Sequence, residues 1–416
     1  MTVKRHVFSP LSNRSYRTFF FSQVFTDLGN WMDLLALGAL ITFTWKLGLE
    51  ANSAAVIAMG APFLLIGPFA SVWVDRLSSR MVLLLSTFLR VLVIIGFLLA
   101  QNLYMLLPLI FLKSTLASIS EPARQSLLRH LVPAEEMAEA SALGQMVSNG
   151  MKMIGPAIGG LLLTFSSPAA VFAVEGVLYL IGWFIMLALP RVQAAADYSR
   201  DEKHGFLRDV AEGIRFLFGN PLIRSAVMIV GLSMFIIFLY DGFFPPLVQA
   251  LGMDTLGYGL VTGAVGAGSV LGALLTGQFT QWRNWPILFM AVGRIVSGLL
   301  LLVAAAGVLY GFAHGNTAFW VVLFAVTGAV GVGMTVPYAY LLQTQTPKEL
   351  IGRVSAVAMA VQGIAIFTAP SIGAILGNWL GLGWVFVLAG GFTVLLGAAS
   401  MWRAQEKKRL TTSANM

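Results

Sequence analysis

Four charged residues stand in otherwise apolar stretches of the sequence, and they are the residues best suited to proton chemistry. Asp27 and Asp33 share one stretch near the N-terminus, Lys113 lies in a second, and Asp241 lies in a third. A carboxylate in apolar surroundings can alternate between a cationic partner and a proton. We therefore rank Asp33, Asp27 and Asp241, in that order, as proton-coupling candidates, with Lys113 at a depth that lets it neutralise Asp33. A static ion pair between helices is the alternative interpretation.

Several kinds of catalytic and metal chemistry are excluded by the residue types. The chain has no cysteine, so a disulfide, a thiolate nucleophile and cysteine-ligated iron are all excluded. Its four histidines do not have the HExxH spacing of zinc hydrolases, and there is no Gly-x-x-x-x-Gly-Lys-Ser/Thr phosphate loop. No cofactor or metal is expected, and the sequence does not indicate an enzyme.

The stretches that position these residues are predicted to be membrane-spanning helices. The chain has 416 residues, of which 58% are hydrophobic and 11% charged, and its mean hydropathy is +0.83. Because soluble domains have roughly 25% charged residues and one crossing takes about 20 residues, this composition predicts an all-α integral membrane protein with roughly a dozen spans. We place twelve helices at 18–44, 53–74, 81–100, 104–123, 140–165, 169–190, 223–250, 257–280, 286–310, 318–345, 352–377 and 383–403.

The positions of the basic residues predict the orientation of the chain. Of the 26 Lys and Arg residues, 21 fall in the termini and in alternate loops, and only Lys46 falls in the opposite loops. This asymmetry predicts that both termini are cytoplasmic in a multi-pass protein of the inner (plasma) membrane. Topology also accounts for the net charge of +8, so nucleic acid is not expected as a partner.

One long connection divides the chain into two similar parts. Residues 1–190 are predicted to form a six-helix bundle, residues 191–222 a cytoplasmic linker, and residues 223–416 a second six-helix bundle with a basic tail. Apolar residues at helical spacing in the linker predict an amphipathic helix over 206–217, either on the membrane surface or as a solvated linker.

The two bundles are related by an internal repeat. Four residues of the first bundle match four of the second at an offset of 214 residues: Pro133 with Pro347, Ser141 with Ser355, Pro156 with Pro370, and Gly159 with Gly373. In addition, Arg90 matches Arg294 at an offset of 204 residues. Parallel repeats of this kind predict a substrate site between two bundles near the bilayer midplane, as in a transporter.

Three segments resemble motifs of the major facilitator superfamily. The loop from Gly67 to Arg80 is similar to the superfamily's signature between the second and third helices, although serines replace the usual glycines and one basic residue. The segment Gly155-Pro156-x-x-Gly159-Gly160 resembles the antiporter motif of the fifth helix. The run Ser120-Glu121-Pro122-Ala123-Arg124 resembles the end of the fourth helix in the branch that contains macrolide-efflux and enterobactin-type siderophore exporters.

The resemblance implies a conformational latch at the cytoplasmic face. Asp75, Arg76, Arg80 and Glu121 would form it, with Arg76 or Arg80 paired to Glu121 in the outward-facing state and Asp75 near the eleventh helix. A purely topological anchor is the alternative interpretation of these charges.

The resemblance also implies which helices line a cavity. The cavity-lining candidates are Trp31, Phe238, Tyr240, Tyr338 and Gln343, and together they would form an aromatic pocket for bulky amphiphiles. Chance is the alternative, because the chain has 29 Phe. The third and ninth helices lie outside the cavity in this superfamily, so Arg90 and Arg294 are expected to have structural roles, and Glu175 is also expected to be structural.

These observations together predict a secondary active transporter. It would export an amphiphilic small molecule, a drug or siderophore, by proton antiport through alternating access, as a monomer whose partners are the substrate, protons and membrane lipid. A lipid flippase, an importer with the same fold, and a passive channel or scramblase are the alternatives.

Overall fold

The computed structural model describes residues 9–67, 78–133, 136–190, 214–346 and 351–414, and no β-strand occurs in these ranges. These ranges are helical almost throughout, as the composition predicts. The α-helices are α1 (Arg14–Ala39), α2 (Leu49–Leu65), α3 (Ser79–Leu99), α4 (Leu103–Leu131), α5 (Met137–Phe165), α6 (Pro168–Leu187), α7 (Pro221–Tyr240), α8 (Phe244–Ala250), α9 (Thr255–Gln278), α10 (Pro286–Tyr310), α11 (Thr317–Gln345), α12 (Ile351–Leu380) and α13 (Leu382–Ala414).

Within the described ranges, nine helical segments are long and apolar enough to cross a membrane. All nine coincide with predicted spans. The predicted spans 53–74, 140–165 and 352–377 correspond to α2, α5 and α12, which are not among the nine. The membrane-embedded helical fold is therefore confirmed, whereas the number of twelve spans and the orientation of the termini stay predictions.

The first helix begins earlier than its apolar pattern predicts, because Asn13 caps it. The side chain of Asn13 accepts hydrogen bonds from the backbone N–H groups of Ser15 and Tyr16, and its amide nitrogen donates to the carbonyl of Leu131 at 2.9 Å. This cap satisfies free N–H groups of the first turn. At the other end, Leu40–Thr44 continue the helix as one wide π-helical turn.

The predicted helix over 223–250 is interrupted, which corrects the sequence-based assignment. A single 3₁₀ turn, Asp241–Phe243, separates α7 from α8, and the Phe244 N–H donates to the Asp241 carbonyl. Pro245 and Pro246 have no N–H group, so they cannot donate to the carbonyls of Asp241 and Gly242 as a continuous α-helix requires.

The chain forms two compact units, which are described separately below. The first unit comprises Met1–Lys46, Ala58–Tyr198 and Tyr258–Gly263, and the second comprises Leu47–Ile57, Ser199–Gly257 and Ala264–Met416. In the first unit, α1 packs on α5 and α6, and α3 packs on α4 and α6. In the second unit, α10 packs on α11 and α13, and α7 packs on α12.

Small residues bring the helices of the second unit into close contact. A side chain added at Gly268 or Gly272 of α9 would collide with the carbonyl of Ala325 or Ala329 of α11. The small-xxx-small spacing on α9 thus serves backbone-to-backbone packing.

The predicted linker helix over 206–217 lies outside the described residues up to position 213. From Ile214 onward the chain is helical, and Leu217 is buried in an apolar cluster with Ile223, Val227 and Val354. This end of the predicted helix therefore packs into the second unit.

Candidate functional site

Three helices of the first unit bring three buried charges together. Lys113 of α4 donates hydrogen bonds to the Asp33 carboxylate of α1 and to the Glu175 carboxylate of α6. The three residues are only 4%, 2% and 0% exposed, respectively. The pairing of Asp33 with Lys113 that their similar depth predicts is confirmed. Glu175, which we expected to be structural, is a second acidic partner of the same lysine. We call these three residues the ionic cluster.

Aromatic rings enclose the ionic cluster. The Lys113 ammonium lies 5.6 Å from the ring centre of Tyr179 and 6.0 Å from that of Phe97. Tyr179 follows Glu175 by one helical turn, and both are fully buried. Gly29 of α1 provides the space for Glu175, because a Cβ at this position would lie 3.4 Å from the Glu175 Cγ. The rings exclude water and strengthen the interactions among the charges.

The ionic cluster carries one more acidic group than basic groups. With both carboxylates ionised, Lys113 balances only one of them, and the cluster has a net charge of −1. Among the described residues, Oδ1 of Asp33 and Oε2 of Glu175 have no hydrogen-bond partner. A net buried charge is costly, and one proton shared between Asp33 and Glu175 would remove it. The cluster can therefore hold and release one proton while Lys113 stays bound to the carboxylate that is ionised.

A polar cleft lies beside the ionic cluster in the first unit. Its volume is about 210 Å³, and it is lined by Asp27, Asn30, Arg90, Glu121 and Arg124, among others. Arg124 donates to both carboxylate oxygens of Asp27 at 3.2 Å. Arg90 donates to the Ser120 hydroxyl at 2.9 Å. We call this space the first-unit cleft.

The first-unit cleft is connected to the ionic cluster by hydrogen-bonding side chains. Asn30 lines the cleft, and its side-chain oxygen accepts a hydrogen bond from the Tyr179 hydroxyl at 3.4 Å. Tyr179 in turn lies against Lys113. Asn30 and Tyr179 thus link the cleft to the cluster.

The residues that line the first-unit cleft differ from the cavity-lining candidates, whose role stays a prediction. Arg90 lines the cleft, because α3 turns this residue towards Ser120 of α4 and Tyr179 of α6. Most of the lining residues are polar or charged, and Trp31 is the only one of the five lining candidates among them. Tyr240 packs against Phe386 with ring centres 5.3 Å apart, and Tyr338 packs on an apolar cluster in the second unit.

The remaining lining candidates and Asp241 are in the second unit. Phe238 is half-buried in α7, and the side chain of Gln343 lies outside the described ones. Asp241 begins the 3₁₀ turn after α7 and forms no ion pair with any residue that the structure describes. Asp241 therefore lacks the cationic partner that distinguishes Asp33 and Asp27.

The latch residues are only partly described. Asp75 and Arg76 lie outside the described residues. Arg80 donates to the Leu187 carbonyl at 3.0 Å, and the exposed Glu121 accepts from Gln125 at 3.3 Å. The preferred pair of Arg80 with Glu121 is therefore not formed in this structure, because Arg80 reaches the end of α6 instead. The pairing in another state stays a prediction.

The antiporter-like motif packs α5 against the helix that carries Asp33. A Cβ on Gly155 would lie 2.6 Å from the Trp31 Cβ, and one on Gly159 would lie 3.3 Å from the Met32 carbonyl. On another face, a Cβ on Gly160 would lie 2.5 Å from the Gly259 carbonyl, and Pro156 lies within the helix. The motif therefore fixes the position of α1 at the level of Trp31 and Asp33.

An apolar helical bundle with buried ion pairs is typical of a membrane transporter. Residues 19–305 match the family model of the Major Facilitator Superfamily, and the chain belongs to this superfamily of transporters.

The chain is similar to three bacterial proteins, of which one is named as a transporter and two as an efflux protein and an exporter. It is 24% identical to the uncharacterized MFS-type transporter YfiS of Bacillus subtilis, over 97% of both chains. It is 23% identical to macrolide efflux protein A of Streptococcus pyogenes, over 86% of this chain and 88% of that protein. It is 26% identical to the enterobactin exporter EntS of Escherichia coli O1:K1, over 61% of this chain and 58% of that protein. The predicted branch of drug and siderophore exporters is thereby confirmed.

Proposed function

We propose that the protein exports an amphiphilic small molecule by proton antiport through alternating access. The observation that carries the proposal is the ionic cluster, in which Asp33 and Glu175 compete for Lys113. The efflux names of two relatives support the outward direction of transport.

The charge balance of the cluster supports proton coupling. A proton bound to Asp33 or Glu175 makes the cluster neutral, and its release leaves a charge of −1 that is stable only with better hydration or another cation. A conformational change that opens the path through Tyr179 and Asn30 to water would favour release, and closure would favour uptake. Proton movement and conformational change are coupled in this way.

The first-unit cleft supports an amphiphilic substrate. Its lining contains both polar and apolar surface, with aromatic surface from Phe19, Trp31 and Phe63. A molecule with an apolar body and several hydrogen-bonding groups would satisfy both kinds of wall. An importer, a lipid flippase and a passive channel are the competing functions.

The test is transport by Asp33→Asn in proteoliposomes with an imposed pH gradient. A macrolide, a catecholate siderophore and a hydrophobic cation serve as probes, each in counterflow and in gradient-driven accumulation. We expect Asp33→Asn to keep counterflow, which needs no net proton movement, and to lose accumulation.

The matched control is Arg17→Gln, because Arg17 is an exposed charged residue on the same helix as Asp33. We expect it to keep both activities. Loss of both activities in Asp33→Asn would show a structural ion pair, and retention of both would remove Asp33 from the mechanism. Accumulation of a probe by the wild type without any gradient dependence would favour a passive channel.

A further inference from the structure

Arg294 of α10 is a fully buried cation without a counterion in the second unit. Its side chain is 0% exposed. Its Nε donates to the Met334 sulfur at 3.2 Å, and a thioether is a weak acceptor. Among the described residues, neither Nη1 nor Nη2 has a hydrogen-bond partner. A guanidinium in a membrane span costs several kcal/mol unless it is paired.

The chain offers no carboxylate to Arg294 from the helices that surround it. Between Thr255 and Trp402 the only acidic residue is Glu349, which lies outside the described residues. Helix α7, which also contributes to this core, contains no Asp or Glu. The only acidic residue on these helices is Glu406 of α13, nine residues or about 13 Å along the helix from Gly397, whose added Cβ would lie 3.1 Å from the Arg294 Cβ. An anion for Arg294 must therefore come from elsewhere.

A second unpaired donor lies on the same interface. The Tyr338 hydroxyl is buried and has no partner among the described residues. Tyr338 follows Met334 by one turn of α11, and it packs on a cluster that contains Met290, one turn before Arg294 on α10. Residues four apart share one helix face, so the guanidinium and the hydroxyl belong to the same α10–α11 interface.

The equivalent arginine of the first unit has different surroundings. Arg90, related to Arg294 by the internal repeat, donates to Ser120 and shares the first-unit cleft with Asp27. There the chain itself supplies a carboxylate. In the second unit, no carboxylate of a described residue pairs with Arg294.

We propose that Arg294 and Tyr338 form an anion-binding subsite for the carboxylate or phosphate group of an amphiphilic ligand. The planar guanidinium can bind two oxygens of such a group in parallel, and the Tyr338 hydroxyl can donate to a third lone pair. If the ligand is the transported molecule, the substrate is an anionic amphiphile. This assignment of the substrate class rests on the function proposed above. A lipid headgroup has the same chemistry.

The test measures the thermal unfolding temperature of the purified protein in phosphatidylcholine nanodiscs. Decanoate and decyl phosphate are the anionic probes, and decanol and decyltrimethylammonium are the neutral and cationic controls. We expect the anionic probes to raise the unfolding temperature of the wild type by about 2 °C or more, and the controls to leave it unchanged.

Arg294→Gln distinguishes a ligand-binding arginine from a structural one. Because it removes an unpaired buried charge, we expect the ligand-free variant to unfold at the same or a higher temperature than the wild type and to lose the response to anions. Arg294→Lys should keep part of the response, and Tyr338→Phe should weaken it. Arg283→Gln is the matched control, because Arg283 is exposed on the same unit, over the rings of Trp282 and Tyr340.

Three outcomes would overturn the subsite: no anion response in the wild type, an equal response in Arg294→Gln, or a large loss of stability in ligand-free Arg294→Gln.

Phosphatidylglycerol nanodiscs separate the two sources of the anion. If this lipid alone raises the unfolding temperature and blocks the effect of decanoate, the ligand is a headgroup. An additive decanoate effect identifies a free solute. These measurements need no proton gradient. A negative result would therefore contradict the anion-binding subsite without contradicting proton antiport, and a failed transport test would not contradict the subsite.

Discussion

The two units are related by an internal repeat, but they differ in whether their buried charged residues form ion pairs. In the first unit, Asp33 and Glu175 pair with Lys113, and Asp27 pairs with Arg124. In the second unit, Arg294 and Asp241 have no ionic partner among the described residues. Duplication of a helical scaffold thus does not duplicate its ionic contacts, and the ion pairs among the described residues are all in the first unit.

The helix packing, in contrast, is similar in the two units. In the first unit, Gly155 and Gly159 of α5 pack on the helix that carries the ionic cluster. In the second unit, the repeat partner Gly373 of α12 packs against the Leu239 carbonyl of α7, near the break at Asp241. Close packing is therefore common to both units, whereas the ion pairs among the described residues occur only in the first unit.

The largest effect is expected from Lys113→Met, which tests whether the first unit depends on its central cation. Two buried carboxylates would lose their only basic partner, and breaking a buried pair in this way typically costs about 3–5 kcal/mol. We expect a strong fall in the unfolding temperature and no accumulation. Adding Asp33→Asn and Glu175→Gln to the same protein should restore stability without restoring accumulation. A stable, active Lys113→Met protein would contradict the comparison.

Gly159→Leu should have the next largest effect, because it separates α5 from the helix of the ionic cluster. Overpacking of a tight contact costs about 1–3 kcal/mol. We expect folded protein with little coupled transport or with a proton leak, measured as dissipation of an imposed pH gradient. Gly150→Leu is the control on the same helix, because a Cβ at Gly150 meets nothing within 4 Å. Coupled transport at the wild-type rate in Gly159→Leu would show that this glycine is incidental.

Arg124→Gln should have a smaller effect, because the Asp27–Arg124 pair is partly exposed in the cleft. The side chains are 17% and 18% exposed, and such pairs contribute at most about 1 kcal/mol to stability. We expect the unfolding temperature to change little and the apparent KM of a transported probe to rise, because Asp27 would then be free to bind other groups. A large loss of stability with an unchanged KM would instead assign the pair to the scaffold.

Asp241→Asn should have the smallest effect and sharpens the contrast between the units. Asp241 has no cationic partner among the described residues, so its carboxylate cannot alternate between an ion pair and a proton. We expect accumulation to stay within about twofold of the wild type, which is a barrier change of under about 0.5 kcal/mol. Loss of accumulation with retained counterflow would move the coupling to the second unit.

Sequence was a good guide to the elements and to one ion pair. Long apolar stretches located the helices, and equal depth along two of them predicted the contact of Asp33 with Lys113. The break of the seventh helix was also readable, because two adjacent prolines cannot continue the hydrogen bonds of a helix. It was missed because the apolar stretch continues through it without a charge other than Asp241.

Glu175 and Arg90 were harder to predict, because their roles depend on which faces of α3 and α6 meet α1 and α4. The signal for Glu175 was the same as for Asp33, an acidic residue in an uncharged stretch. What the sequence did not reveal was the small residue Gly29 opposite it, which lets α6 approach α1 closely enough for Glu175 to share Lys113. The faces that α3 and α6 turn towards α1 and α4 are set by packing over the whole unit.

The two helices that carry the buried arginines also have a consequence for biosynthesis. Among the nine spans, those of Arg90 and Arg294 are the most apolar, even with the arginine included. An arginine near the centre of a span opposes entry into the bilayer from the translocon by about 2.5–3.5 kcal/mol, and each Leu, Ile, Val or Phe favours it by about 0.3–0.6 kcal/mol. The apolar residues of α3 and α10 therefore let each helix insert on leaving the translocon, before neighbouring helices can shelter its cation.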